Sequence, residues 1–151
     1  MRSAYLSIAR LIAIGVVLQA SFVALGWFMN LSDIDSGQVV DKAYLEDGDG
    51  WNIGLSLHGI VGFNLMPLLG LVLLIVSFFA KIPGGVKWAG FVLLAIVAQV
   101  VLGIAAFSVP ALGALHGINA FVVLTLALLA AKRASEHPAT HPAGSRESAA
   151  V

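Results

Sequence analysis

Four apolar stretches, at residues 8–28, 53–80, 86–107 and 112–131, constrain this chain more than any other feature. A helix needs about 20 mostly apolar residues to cross the roughly 30 Å hydrocarbon core of a bilayer, and each stretch reaches that length. After Arg10 no charged side chain interrupts them except Lys87, at the edge of the third. Lipid offers no hydrogen bonds to the main chain, so spanning segments of this kind become helices, which pair their own backbone groups. Composition agrees: 60% of residues are hydrophobic and 11% are charged, against about 25% charged in an average soluble domain. The mean hydropathy is +0.99. The expected fold is therefore an all-α bundle of four transmembrane helices over residues 1–133, with the lipid bilayer as its solvent. The formal net charge is zero, which supplies no general attraction to nucleic acid, and no partner of that kind is expected. The absence of cysteine removes disulfides, thiolate metal sites and cysteine nucleophiles.

Lysine and arginine set the expected orientation, because cytoplasmic flanks retain them. Arg2 and Arg10 precede or open the first stretch, Lys81 and Lys87 flank the second turn, and Lys132 and Arg133 follow the fourth. The first loop carries only Lys42, and the third turn carries no charge. Both termini are then cytoplasmic in a multi-pass protein of the plasma (inner) membrane. Trp27 and Trp51 fall at the outer interface and Trp88 at the inner one, as an aromatic belt requires. Arg2 and Arg10 also resemble the start of a signal peptide, but the repeat described below needs the first segment to stay. The outer loop, residues 30–50, is acidic, with Asp33, Asp35, Asp41, Glu46, Asp47 and Asp49. Its spacing departs from a calcium loop, since Tyr44 stands where the bidentate glutamate belongs, so a solvated loop is expected. Residues 134–151 are rich in Ala, Ser, Pro and Glu and are expected to form a disordered cytoplasmic tail containing His137 and His141. Pro67, inside the second stretch, removes the N–H that would pair with the Phe63 carbonyl and predicts a kink there.

The chain repeats itself. Leu57-His58-Gly59-Ile60-Val61-Gly62-Phe63 matches Leu115-His116-Gly117-Ile118-Asn119-Ala120-Phe121, and Val16-Val17-Leu18-Gln19 recurs as Ile96-Val97-Ala98-Gln99. A helix pair duplicated in parallel orientation accounts for both matches. The second and fourth helices then run the same way, so His58 and His116 lie at one depth near the outer ends. An ionisable residue inside a span is costly and faces the bundle interior. Two at one depth suit bis-histidine ligation of a single haem iron. Small residues one turn to either side, Gly54 and Gly62 around His58 and Gly113 and Ala120 around His116, leave room for a flat macrocycle. The same features also fit a packing device, in which small residues let helices approach and histidine bonds across the interface. Gln19 and Gln99 are expected to hydrogen-bond between helices in that manner. A lone metal ion fits less well, because no carboxylate or thiolate accompanies the two histidines within the spans. Haem propionates would point outward, where Lys42 is the one basic residue, leaving Trp51, Asn52, Ser108 and helix N-termini to receive them.

The Leu-His-Gly-Ile repeat, together with Gln99-Val100-Val101-Leu102-Gly103, resembles one four-helix half of heme A synthase. It is also similar to a family of small bacterial four-helix membrane proteins. The resemblance runs over about residues 5–133 and implies that His58 and His116 are the axial pair of a haem b. It does not extend to the chemistry of that enzyme. The chain has one half where heme A synthase has two, no glutamate precedes His58 within its helix, and there is no cysteine pair. The expectation is a haem b protein with an electron-transfer, redox-sensing or haem-sensing role, more a carrier than an enzyme. A single haem near one face needs a partner: a quinone, a membrane redox protein, or another protomer of a homo-oligomer. Two other readings stay open on the sequence: a cofactor-free accessory subunit of a transporter or respiratory complex, and a proton or solute path along His58, His116, Gln19 and Gln99.

Overall fold

The computed structural model describes residues 1–46, 48 and 50–136. These form α1 (Arg2–Asp35), a short α2 (Lys42–Glu46), α3 (Ile53–Ile60), a π-helical segment (Val61–Leu65), α4 (Met66–Ser77), α5 (Gly85–Ala106) and α6 (Ala111–Glu136). No strand occurs among the described residues. Four helical spans are long and apolar enough to cross a membrane: α1, the α3–π–α4 run (Ile53–Ser77), α5 and α6. The protein is an all-α four-helix bundle with the character of an integral membrane protein.

The first span continues past Phe28 to Asp35 because nothing before Ser36 breaks it: the chain there holds no glycine or proline after Gly26. Thirty-four residues make a rod of about 51 Å, well beyond the roughly 30 Å hydrocarbon core, so part of what reads as outer loop is projecting helix. The fourth span likewise runs to Glu136, where Lys132 and Glu136 pair at 3.6 Å one turn apart. The tail beyond it, with His137 and His141, lies outside the described residues, as do Asp47 and Asp49.

Packing follows a ring. The first span touches the second and the fourth, and the third touches the second and the fourth, so the second and fourth spans are diagonal. The start of α1, the end of α4, the start of α5 and the end of α6 share one end, called the basic end here. Tyr5 Oη donates to Gly85 O (3.0 Å) across it, and the Arg133 guanidinium lies 5.2 Å from the Trp88 ring centre. Gly84, at φ +71°, makes the left-handed turn that admits α5 after Pro83. The opposite end carries the 36–52 connection and is called the loop end.

The two ends are packed differently. Tyr5, Ile12, Leu73, Val92, Ile96 and Val123 are essentially inaccessible, and alanines at 9, 89, 127 and 130 let the helices close around them. All of these lie in the basic half. Beyond Ile96 no residue of α5 is fully buried, and none of α6 is before Val123. Large apolar side chains instead face outward, including Leu94, Phe107, Phe121 and Phe28, each more than 60% exposed. That is normal in lipid, where an outward apolar side chain is already in its preferred solvent.

The loop end is tied by polar bonds. Asn52 caps α3 by accepting from Gly54 N (3.1 Å) and Leu55 N (3.2 Å). Its Nδ2 donates to Gly26 O (2.8 Å) and to Asn30 Oδ1 (2.7 Å), and Asn30 donates to Gly50 O (3.4 Å). Tyr44 Oη donates to Asp33 (2.7 Å), clipping α2 to the projecting part of α1. Asp33, which the sequence sets beside a calcium-loop pattern, is thus a helical residue bonded to tyrosine.

Candidate functional site

Each histidine stands five residues past the first residue of its helix, His58 in α3 and His116 in α6. That is about 7–8 Å along the axis, so the two lie at matched depth. They come from the diagonal spans and face each other: the ring centres are 6.1 Å apart, with the planes at 67°. Both are half-buried.

The repeat is visible in their bonding. His116 Nδ1 is 2.9 Å from Gln99 O, and His58 Nδ1 is 3.1 Å from Gln19 O. A carbonyl can only accept, so the His116 bond requires the ring proton on Nδ1 and leaves the lone pair on Nε2, whereas His58 Nδ1 lies between the Gln19 carbonyl and, at 2.6 Å, the Gln19 amide nitrogen, a donor. Histidines that bind a metal are oriented as His116 is, one nitrogen donating to a carbonyl and the other left to ligate. The short motif around each glutamine marks the turn whose carbonyl receives the imidazole of its own half.

Around this common frame the halves differ. In the second half Asn119 Nδ2 donates to Gln99 Oε1 (2.7 Å) and Ala95 O (2.9 Å), which holds the Gln99 amide away from the helix ladder. In the first half Val61 stands in place of Asn119 and cannot do this. There the Gln19 amide enters α3 itself. Its oxygen faces Gly62 N–H at 2.6 Å, and its nitrogen faces His58 O at 3.0 Å and His58 Nδ1 at 2.6 Å. The Gly62 amide can only donate, which fixes the amide orientation. The amide therefore bridges the two groups that an α-helix would join directly. A side chain inserted in the ladder disrupts it, and the following turn is π-helical, with Met66 N–H bonding Val61 O. Pro67, which has no N–H for the Phe63 carbonyl, lies immediately after. The irregularity expected at Pro67 is thus shared with a glutamine from the neighbouring span. Gly62 gives it room: a Cβ there would stand 3.3–3.6 Å from the amide, a snug contact. Its counterpart Ala120 carries that Cβ, and α6 stays α-helical throughout.

The other small residues divide by role. Gly54 is filled by α1: a Cβ on it would lie 2.3 Å from Gly26 N and 2.6 Å from Gly26 Cα. Gly113 has one neighbour, with its Cβ position 3.8 Å from Ala106 Cβ. Gly103, which in the sequence stands only as part of a motif, lies under the second histidine, its Cβ position 3.1 Å from His116 Nδ1 and Cε1. Gly59 and Gly117, each beside a histidine, have nothing within 4 Å. The Asn52 side chain has both polar atoms engaged within the protein, so it is not free to receive an anion.

Two shallow depressions lie on the surface of the loop half, neither of them lined by a histidine. The α3 helix packs on α1, whereas it is α4 that meets α5, so the loop end gapes between the second and third spans. Trp51 and Phe107 bridge the mouth, with ring centres 6.3 Å apart. A groove of about 360 Å³ runs along Trp51, Leu55, Ser56, Gly59, Ile60 and Asn64. A recess of about 180 Å³ lies at Gly103, Ala106 and Phe107, beside His116. The groove is at the small end of the roughly 300–1,000 Å³ of small-molecule sites. Among the described residues no three His, Cys, Asp or Glu side chains gather where they could hold a bare metal ion. No family model, curated protein or solved structure matches the chain.

Proposed function

We propose that this membrane protein holds one b-type haem between His58 and His116 and serves electron transfer, or the sensing of redox state or haem. The observation that carries the reading is the histidine pair, equivalent in two repeats and 6.1 Å apart where the tightly packed core gives out. Imidazole–metal bonds of about 2.0–2.1 Å, with roughly 1 Å more from each nitrogen to its ring centre, put two axial rings about 6 Å apart. An edge-to-face ring pair has a similar spacing, so the distance alone does not choose. The His116 Nδ1 bond and the less tightly packed loop half favour a ligand. Bound there, the haem would supply one-electron redox chemistry.

The chain's own part would be to hold the two rings, His116 through Gln99 O and His58 through Gln19. Gly103 keeps a side chain clear of the His116 ring, and Gly113 and Ala120 add little bulk one turn to either side of His116. Gly54 and Gly62 act indirectly, by seating α1 and Gln19 against the His58 helix. The resemblance to one half of heme A synthase supports the same pair. Electrons would pass to a quinone or a membrane redox partner, or between protomers of a homo-oligomer.

The test is a reduced-minus-oxidised spectrum of purified protein. A b-type signal is expected in the wild type and is expected to fall in His58→Ala and His116→Ala. Colourless, folded protein from haem-replete cells would favour the second reading, an accessory subunit whose open loop half is covered by a partner helix.

The basic end carries Arg2, Lys81, Lys87, Lys132 and Arg133, and we assign it to the cytoplasmic side of the inner membrane. Ser3→Cys and Ser135→Cys should then resist an impermeant maleimide added to intact cells, while Ser36→Cys reacts. The reverse pattern would invert the topology.

A further inference from the structure

We propose that this chain forms a two-fold dimer through the outward face of its second span, with Asn64 of each copy hydrogen-bonded to Asn64 of the other near the centre of the membrane. The interface needs no haem, and it turns on a feature that the first half of the repeat has and the second lacks.

Asn64 lies eleven residues past Ile53, the first residue of its span. That is about 16–17 Å along the helix axis, close to the midpoint of a hydrocarbon core roughly 30 Å thick. The side chain is exposed. Its Nδ2 donates to Ile60 O at 2.9 Å, one turn back on the same helix. A carbonyl can only accept, so this bond fixes which end of the amide is nitrogen. One N–H and the Oδ1 lone pairs are left over, with no partner among the described residues. Acyl chains offer neither donor nor acceptor, so an amide left facing them at this depth is costly.

The other carboxamides at mid-span avoid that cost. Gln99 and Asn119 bond each other at 2.7 Å, and the Gln19 amide sits between His58 O and Gly62 N. Outward hydroxyls differ, since a carbonyl of their own helix can serve them, as Val17 O accepts from Ser21 Oγ at 3.0 Å. The Asn64 oxygen needs a donor instead, and a helix interior keeps its N–H groups within its own ladder.

The repeat supplies the comparison. Counted from the histidines, Ser56, Ile60 and Asn64 correspond to Ala114, Ile118 and Val122. Ser56, Ile60 and Asn64 line one shallow groove on the outward side of the second span. Ile60 and Ile118 are equally exposed, at 62% and 61%. At these positions the fourth span gives lipid an apolar face, and the second gives it an amide.

A second copy meets the needs of that amide without further conditions. All copies insert in the same direction, so a two-fold axis along the membrane normal brings Asn64 against Asn64 at one depth. An amide is its own complement: each Oδ1 accepts from the Nδ2 of the other, and the two bonds occupy the groups left over. The contact is isologous and therefore closed. The fourth span has no such amide to extend it, so the assembly stops at two.

The full-length chain contains no cysteine, so single introduced cysteines report contacts between copies. In native membranes under mild oxidation, Ile60→Cys is expected to give a disulfide-linked dimer and Ile118→Cys is not. Sedimentation in density-matched detergent micelles gives the dissociation constant of the wild type. Asn64→Leu is expected to raise it about tenfold or more, the scale of hydrogen bonds between helices in lipid. Asn64→Gln, which keeps donor and acceptor, is expected to restore most of the loss. Asn64 is exposed and gives up one bond to its own helix, so the leucine variant should unfold in SDS as the wild type does, which separates lost association from lost folding. A monomeric wild type, an Asn64→Leu dimer as tight as the wild type, or equal cross-linking of Ile118→Cys and Ile60→Cys would overturn the dimer. Linkage of Ile60→Cys to a different polypeptide in place of a second copy would overturn it as well. Each of these results leaves the haem reading untouched.

Discussion

Gly54→Val is expected to destabilise the bundle by about 3 kcal/mol, the upper part of the range for overpacking. The reason is what stands around that glycine. A Cβ would fall 2.3 Å from Gly26 N, 2.6 Å from Gly26 Cα and 2.7 Å from Phe22 O, all of them main-chain atoms that cannot rotate aside. The spans would have to separate. Separation would strain the Asn52 bonds to Gly26 O and Asn30 and the bond between His58 and Gln19 O, so the histidine would shift with its helix. Gly59→Val, five residues on, supplies the control. Nothing lies within 4 Å of its Cβ position, and both changes carry the same helix-propensity term. Unfolding of detergent-solubilised protein in increasing SDS measures the difference. Equal losses in the two variants would mean that the crossing is not close.

Leu73→Ala is expected to cost about 2–5 kcal/mol, the usual consequence of emptying a fully buried leucine site. Leu73 is 0% exposed and lies in the cluster with Ile12, Val92 and Ile96. Leu102→Ala, in the loop half of α5 where no side chain is fully buried, is expected to cost roughly 1 kcal/mol or less. The contrast tests whether the bundle is held at one end and left open at the other. Comparable losses from both leucines would show a core continuous through the histidine level, leaving no room for a macrocycle.

Much of the architecture is local and therefore legible. Span length, the loss of charge after Arg10 and the clustering of Lys and Arg at alternate turns act within single segments. The duplicated motif needs only comparison of the chain with itself, and it already puts His58 and His116 at equal depth. The inter-helix role of Gln19 and Gln99 could be expected for the same reason, since an amide in lipid must find a partner. Boundaries were less legible. The helix ends at Asp35 and Glu136 lie beyond the apolar stretches, because a helix continues into polar sequence wherever no glycine or proline stops it. The part played by Gly103 left no signal of its own beyond the motif around it.

By itself, then, the sequence determined a four-span membrane chain, its duplicated plan, and two histidines level with each other. Only the tertiary structure decided that the second and fourth spans are diagonal, that Gln19 enters the neighbouring helix while Gln99 does not, and that the packed core stops at the histidine level. Those outcomes turn on contacts 39 and 17 residues apart in the chain and on Asn119 standing in one half where the other has Val61. Periodicity records which residues a helix turns inward. It does not record whether the neighbour leaves 3.3 Å or 2.3 Å for them, and in a close-packed bundle that margin decides which side chain enters, which helix yields and where space remains.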